Sequence, residues 1–364
     1  MNQQLNPLDS IVYITIPAKI IPSLSPEIDP DIQLPVERTR RDREILPHEI
    51  TVEALIAGML RVLIYDTANE DADYYRKLVI NLRPDIKEEF TEAGIAKARL
   101  EDFPVAIEVF QGLCALFPDC GVTHLNSALV HEAAARYYQH DEKLHDHYLE
   151  KTFHYYHSAL ELDDCVPDTY LNFGYFLLEQ QNYEKGIELL NIFVSMSSDE
   201  EKKAKVQEHL DSLSSYIAMD TLFKEAYDNI SMGKEAEGIE KIEKVLEKNR
   251  DFWNGWFLLG WGFRRTGKYR EAKEAFLKAA SLQDPLPDLL NELAISHMEL
   301  NEYSDSLRCL EQALTQEPEN TKVMSNMGIV YLRMGQREKA EAVFKSILEY
   351  DPDDPIAKKY LEDM

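Results

Sequence analysis

Apolar residues recur along this chain at intervals of three and four, the spacing that places them on one face of a helix. Between positions 253 and 286, one such stripe contains Trp256 and Phe263, and a second contains Phe276 and Ala279. Gly267 lies between the two stripes, and glycine suits the left-handed conformation in which many helices end. The pattern therefore predicts two helices joined by a tight turn.

The same pattern returns every 34 residues. Small residues share one position of the repeat and large apolar residues share another; they are Ala226, Gly260, Ala294 and Gly328, and Phe276, Leu310 and Phe344. A helix pair with this period buries its apolar face only by stacking on copies of itself. Extending the frame in both directions predicts seven units, at 87–120, 121–166, 167–200, 219–252, 253–286, 287–320 and 321–354.

These units resemble the tetratricopeptide repeat. The family pattern is matched in the unit 253–286 by Trp256, Leu259, Gly260, Phe263, Ala272, Phe276 and Ala279, and in the unit 321–354 by Gly328, Tyr331, Ala340, Phe344 and Pro352. The resemblance covers about three quarters of the chain. It implies an all-α fold, an α-solenoid in which helix–turn–helix repeats form a right-handed superhelix.

The N-terminal residues 1–46 are different in character. Seven prolines lie between Pro7 and Pro47, which favours extended backbone, and the β-branched run Ser10–Ile16 predicts a short strand. The many isoleucines make the segment too apolar for a solvated tail. We expect an extended cap over the first helices of the solenoid. The alternative is an autoinhibitory strand in the groove of the array, or one exchanged with another copy.

Other segments of the sequence also depart from the 34-residue pattern. Residues 47–86 predict an atypical helical pair, and the repeats at 87–200 contain an insertion near 137–147. The amphipathic stretch 201–218 predicts an extra helix, or an extension of the first helix of the next repeat. Four repeats then occupy 219–354, and 355–364 predicts a C-terminal capping helix.

The charge balance narrows the classes of partner. The chain has 66 acidic and 39 basic residues, a net charge of −27. This argues against nucleic acid and favours neutral or basic partners. We expect no membrane association, because the sequence contains no long apolar stretch, and a cytoplasmic location, because the N-terminus does not resemble a signal peptide.

Motifs of catalysis were sought in the sequence. It contains no GxxxxGK[ST] loop, no GxGxxG, no HExxH and no GxSxG. We therefore predict that the protein is not an enzyme and needs no cofactor.

The resemblance implies that a partner binds in the concave groove, which the first helix of each repeat lines. Aromatic, amide and cationic side chains at those positions suit an apolar or aromatic peptide segment. The candidates are Asn126, Asn172, Tyr175, Phe223, Tyr227, Phe257, Trp261, Arg264, Asn291, Met298, Lys322 and Asn326. Trp261 is the first choice among them, since it directly follows Gly260 and cannot share the buried Leu259 face.

Histidine is concentrated between His124 and His157. Candidate metal ligands there are His140, His145, His147 and His154. Surface histidines without a metal are the expected interpretation, because no cysteine completes a ligand spacing. The sequence thus predicts a non-catalytic scaffold that binds a peptide segment or partner protein. The alternative is a sensor in which residues 124–157 bind a metal or protons and modulate partner binding.

Overall fold

The computed structural model describes residues 6–37 and 50–363, which divide into two compact units, Met1–Leu210 (unit 1) and Asp211–Met364 (unit 2). Unit 1 contains strands β1 (Ile11–Ile14) and β2 (Leu34–Glu37) and helices α1 (Ile21–Leu24), α2 (Val52–Tyr65), α3 (Ala72–Leu82), α4 (Ile86–Arg99), α5 (Phe103–Leu116), α6 (Gly121–Tyr137), α7 (Glu142–Leu160), α8 (Pro167–Glu179) and α9 (Tyr183–Met196). Helix α10 (Glu200–Ser231) passes from unit 1 into unit 2. Unit 2 continues with α11 (Glu235–Lys248), α12 (Trp253–Arg265), α13 (Tyr269–Leu282), α14 (Pro287–Glu299), α15 (Tyr303–Gln316), α16 (Thr321–Arg333), α17 (Arg337–Tyr350) and α18 (Pro355–Glu362).

The N-terminal segment of unit 1 lies on the first helix pair. β1 and β2 pair antiparallel, with Ile11 opposite Glu37. Ile16, Ile28 and Val36 are buried in one apolar cluster with residues of α2 and α3. These contacts hold residues 6–37 against α2; the other residues of the predicted segment 1–46 lie outside the described residues.

The contact between β2 and α2 requires a glycine. A Cβ atom on Gly58 would overlap the carbonyl oxygen of Pro35 and lie 2.9 Å from the Cα of Val36. Because both neighbours are backbone atoms, rotation of a side chain cannot relieve the overlap. The close approach of β2 to α2 therefore depends on the absence of a side chain at position 58.

Helix pairs follow from α4 onward. Within each pair the first and second helices pack closely, as in α4 with α5, α6 with α7 and α8 with α9 of unit 1. The first pair joins this stack differently, since it is α2 that packs against α5. Helices α6 and α7 are longer than those of the neighbouring pairs, which is how the insertion near 137–147 is accommodated.

Residues 201–218 lie in helix α10. It is continuous for 32 residues, so this stretch is an extension of the first helix of the next pair and not a separate extra helix. Its early residues Val206 and Leu210 pack in a cluster with Leu190 and Phe193 of α9.

Unit 2 is regular in the way that the 34-residue period predicts. A Cβ atom on Gly260 would lie 2.7 Å from the ring of Phe276, and one on Gly328 would lie 2.7 Å from the ring of Phe344. The small-residue position thus makes room for the large ring of the second helix. Left-handed residues, such as Gly267 with φ of 75°, stand in the turns between the paired helices. The prediction of an all-α fold of stacked helical repeats is confirmed.

The last helix, α18, lies on the final pair. Its Tyr360 stacks on Phe344 with a centroid distance of 4.9 Å, and Ala357 is fully buried. Asp354 caps the helix by accepting a hydrogen bond from the backbone N–H of Ala357 at 2.7 Å.

Candidate protein-binding surface

The first helices of unit 2 carry most of the predicted groove residues. We call the side formed by the second half of α10 and by α12, α14 and α16 the first-helix surface. One of its exposed aromatic residues is Tyr227, of which 53% is accessible. Tyr227 stacks on Trp261 with a centroid distance of 5.8 Å and an interplanar angle of 27°. The guanidinium of Arg265 lies 5.4 Å from the Trp261 ring. Tyr227, Trp261 and Arg265 therefore form an aromatic and cationic stack at the surface.

Two further aromatic candidates are partly buried. Phe223 packs edge-on against Phe252 at 5.1 Å, and Phe257 lies 5.8 Å from Phe276. Both belong to the shells of apolar clusters inside unit 2. They help to hold the repeats together and offer only part of their rings to a partner.

The structure corrects the prediction that Asn291 and Met298 lie on the groove surface. Asn291 is completely buried and Met298 is 5% exposed, whereas the prediction places both side chains on the groove surface. The reason is close packing of α14 between its neighbouring first helices, α12 and α16. Asn326 donates from Nδ2 to Oδ1 of Asn291 at 2.7 Å, so this amide joins α16 to α14.

Several charged side chains of the surface form ion pairs. Arg264 of α12 forms an ion pair with Glu292 of α14, whose side chain is 10% exposed. Lys322 lies 3.6 Å from Asp288, a pair in which both side chains are well exposed. Arg265, which the sequence reasoning missed, pairs through Nε with Glu235 at 2.8 Å. Charged residues 34 positions apart also meet, as Arg333 does with Glu299 at 2.7 Å. This period was the signal that could have identified such pairs.

The candidate partner-binding residues of unit 1 contact neighbouring groups of the same unit. Asn172 donates from Nδ2 to the carbonyl of Asp168 in its own helix at 2.7 Å. Tyr175 stacks on His209 at 5.4 Å. Asn126 is partly buried on α6.

The candidate metal ligands near the insertion are not brought together. His140 is exposed in the turn after α6, and Nδ1 of His145 contacts the carbonyl of Ala135 at 2.9 Å. His147 and His154 lie edge-on against the neighbouring rings of Tyr148 and Tyr155. In the described ranges, no three of these four offer ligand atoms to a common point.

Among the described residues, 6–37 and 50–363, a different group of three possible metal ligands does come together. His297, Glu302 and Asp305 offer ligand atoms within 4.8 Å of one another. The ammonium of Lys273 donates to both carboxylate oxygens of Glu302, at 2.7 and 2.8 Å. Asp305 pairs with Arg308 at 2.8 Å. Basic side chains of the protein therefore already balance these carboxylates.

Two buried titratable residues of α6 also escaped the sequence reasoning. His131 is 1% exposed, and burial lowers its pKa to about 4. Burial raises the pKa of Glu132, to which Tyr156 donates a hydrogen bond at 2.5 Å and with which Arg136 pairs. Neither residue had a spacing that could have revealed its burial.

The repeat geometry agrees with a comparison at the level of families. A family model described as "Psidin, N-terminal TPR repeats region" matches residues 220–355. Residues 220–355 of this chain thus match a region of tetratricopeptide repeats. The matched region coincides with unit 2, where the repeat positions are most regular.

Similar proteins match this chain over part of its length. The human N-alpha-acetyltransferase 25, NatB auxiliary subunit, is 24% identical over 136 residues, which is 37% of this chain and 14% of that protein. Photosystem I assembly protein Ycf3 of Prochlorococcus marinus (strain NATL1A) is 28% identical over 106 residues, 28% of this chain and 61% of the relative. The chain thus spans a small part of the acetyltransferase subunits that it matches.

Solved structures of similar chains include YrrB, described as a TPR protein with an unusual peptide-binding site. It is 16% identical and covers 57% of this chain and 97% of its own, with a TM-score of 0.38. MamA is 17% identical, covers 51% of this chain and 92% of its own, and gives a TM-score of 0.35. In the described residues of this protein, no helix is long and apolar enough to cross a membrane.

Proposed function

We propose that this protein is a non-catalytic scaffold that binds a segment of a partner protein on the first-helix surface of unit 2. The observation that carries the proposal is the stack of Tyr227 on Trp261. More than half of Tyr227 is exposed, although the ring is already ordered by its neighbour. A pre-ordered aromatic side chain loses little conformational entropy when a partner covers it, which is why such residues dominate binding energies.

The names of the relatives support a role in protein assemblies. One is an auxiliary subunit and another an assembly protein. They match 37% and 28% of this chain, respectively. We propose by analogy that the partner is a protein, neutral or basic given the net charge of −27.

The experiment compares two tyrosines on the same helix. Tyr227→Ala removes the stacked ring, whereas Tyr216→Ala removes a ring that is 63% exposed and outside the stack. We expect affinity capture with the full chain to lose its specific partner only with Tyr227→Ala, by at least tenfold. Circular dichroism should show both variants folded, because both side chains are exposed. Equal capture by wild type and Tyr227→Ala would place the binding surface elsewhere.

A further inference from the structure

Two arginines of the first-helix surface are paired with carboxylates of unit 2, and this restricts the chemistry of the partner. Arg264 is held by Glu292 of the next first helix. Arg265 is held by Glu235 and lies over the Trp261 ring. An acidic group that approached Arg264 would have to displace Glu292, whose side chain is only 10% exposed, and leave that carboxylate uncompensated. Breaking one partner out of a buried pair is strongly unfavourable.

One amide group of the surface, that of Asn326, is also engaged. Nδ2 of Asn326 donates to the buried Asn291. This amide N–H is therefore not available to the backbone of an extended peptide. An extended segment that covers Asn326 would lose backbone hydrogen bonds to water without gaining one from this Nδ2 group, which is costly. A helix satisfies its own backbone and avoids this cost.

Apolar side chains remain available along the surface. Tyr227, Trp261, Ile295 and Ile329 occupy the same position in four successive first helices and are exposed or partly exposed. Neighbouring packed helices lie roughly 8–10 Å apart. Two turns of a partner helix advance about 10 Å, so side chains seven residues apart on that helix match the row.

We infer that the segment bound on the first-helix surface is an amphipathic helix without net charge, whose aromatic and aliphatic side chains follow the row from Tyr227 to Ile329. This inference rests on the proposed function and specifies its partner. It also assigns Glu292 a role in specificity: by neutralising Arg264, it prevents the surface from selecting acidic segments or chain-terminal carboxylates.

The test uses random sixteen-residue peptides, displayed on phage and selected on the full chain. We expect enriched peptides to carry apolar residues with helical spacing and little net charge. Synthetic versions, acetylated and amidated, should bind at least tenfold more tightly than versions with two added glutamates or a free carboxylate. A proline in the middle of the peptide should abolish binding. Enrichment of acidic or proline-rich peptides, or no enrichment at all, would overturn the inference.

Two variants separate this inference from the proposed function. Glu292→Gln frees Arg264 and should improve binding of the acidic peptides about tenfold, while the matched change Glu311→Gln, on the second helix α15, should not. Unchanged acidic binding by Glu292→Gln contradicts the role of Glu292. If acidic peptides are selected and Tyr227→Ala abolishes their binding, the surface is right and its assigned chemistry is wrong. If Tyr227→Ala leaves all peptide binding unchanged, the proposed surface itself is wrong.

Discussion

The same repeat position holds a histidine in each unit, and the two histidines have different surroundings. His131 is the eleventh residue of α6 in unit 1, and His297 is the eleventh residue of α14 in unit 2. His131 contacts the carbonyl of Ser127 at 2.7 Å and lies 4.9 Å from the ring of Tyr155. Nδ1 of His297 lies 2.6 Å from the carboxylate of Glu302.

These surroundings decide the charge at each position. Burial lowers the pKa of His131 to about 4, and the positive charge of Lys151 acts in the same direction. At the other position Lys273, and then His297, lower the pKa of Glu302, so the site retains a carboxylate that can face a cation. The repeat fixes where the side chain points, while the contacting residues determine whether a charge is tolerated there.

The largest effect should come from placing a lysine at both positions. His131→Lys buries an ammonium where the nearby Glu132 is already bound to Tyr156 and Arg136, and we expect a loss of about 4 kcal/mol in stability. His297→Lys places the ammonium near Glu302, in competition with Lys273, and should cost about 1–2 kcal/mol. Urea unfolding of the two variants measures both values. Equal losses would mean that the position alone sets the cost.

The pH dependence of stability should sharpen the comparison next. The pKa of His131 is about 4 in the folded state, below its ordinary value of 6.5. The unfolded chain therefore binds a proton first, and stability is lost as the pH falls from above 6.5 toward 4. The loss amounts to about 3 kcal/mol.

The control for this pH dependence is His131→Phe, which keeps an aromatic ring beside Tyr155 but cannot titrate. Urea unfolding from pH 7.5 to pH 4.5 should show the wild type losing stability relative to this variant. A difference in unfolding free energy between the two proteins that stays constant over this pH range would contradict the lowered pKa of His131.

The smallest difference in stability should appear at the small-residue position, where a glycine faces a phenylalanine ring in both units. A Cβ atom on Gly94 of unit 1 would lie 2.8 Å from the Phe110 ring, and one on Gly260 would lie 2.7 Å from the Phe276 ring. Gly94→Ala and Gly260→Ala should each cost about 1–2 kcal/mol, since crowding of the ring is partly offset by the helix propensity of alanine. Thermal unfolding compares the two. Adding Phe276→Leu to Gly260→Ala should recover part of the loss; no recovery would show that the ring is not the obstacle.

Much of the fold could be predicted from periodic residues. Gly260 and Phe276 meet in the structure because their positions recur with the 34-residue period, and Gly267 ends the first helix as its residue type suggests. The candidate surface was predicted less completely. Trp261 and Arg264 lie on this surface. The burial of Asn291 could not be recognised, because it comes from packing against helices of the neighbouring repeats.

The sequence by itself determined the helix pairs, their stacking order and the positions that must stay small. These follow from contacts between residues at fixed separations along the chain, which a periodic pattern records. Only the tertiary structure decided that Gly58 lies against the backbone of Pro35, that Glu292 neutralises Arg264 and that His131 and His297 differ. Such contacts join residues whose separation is not the 34 residues of the repeat, or depend on which side chains surround a shared position. Their energies arise from burial and charge pairing, which are set when the helices pack.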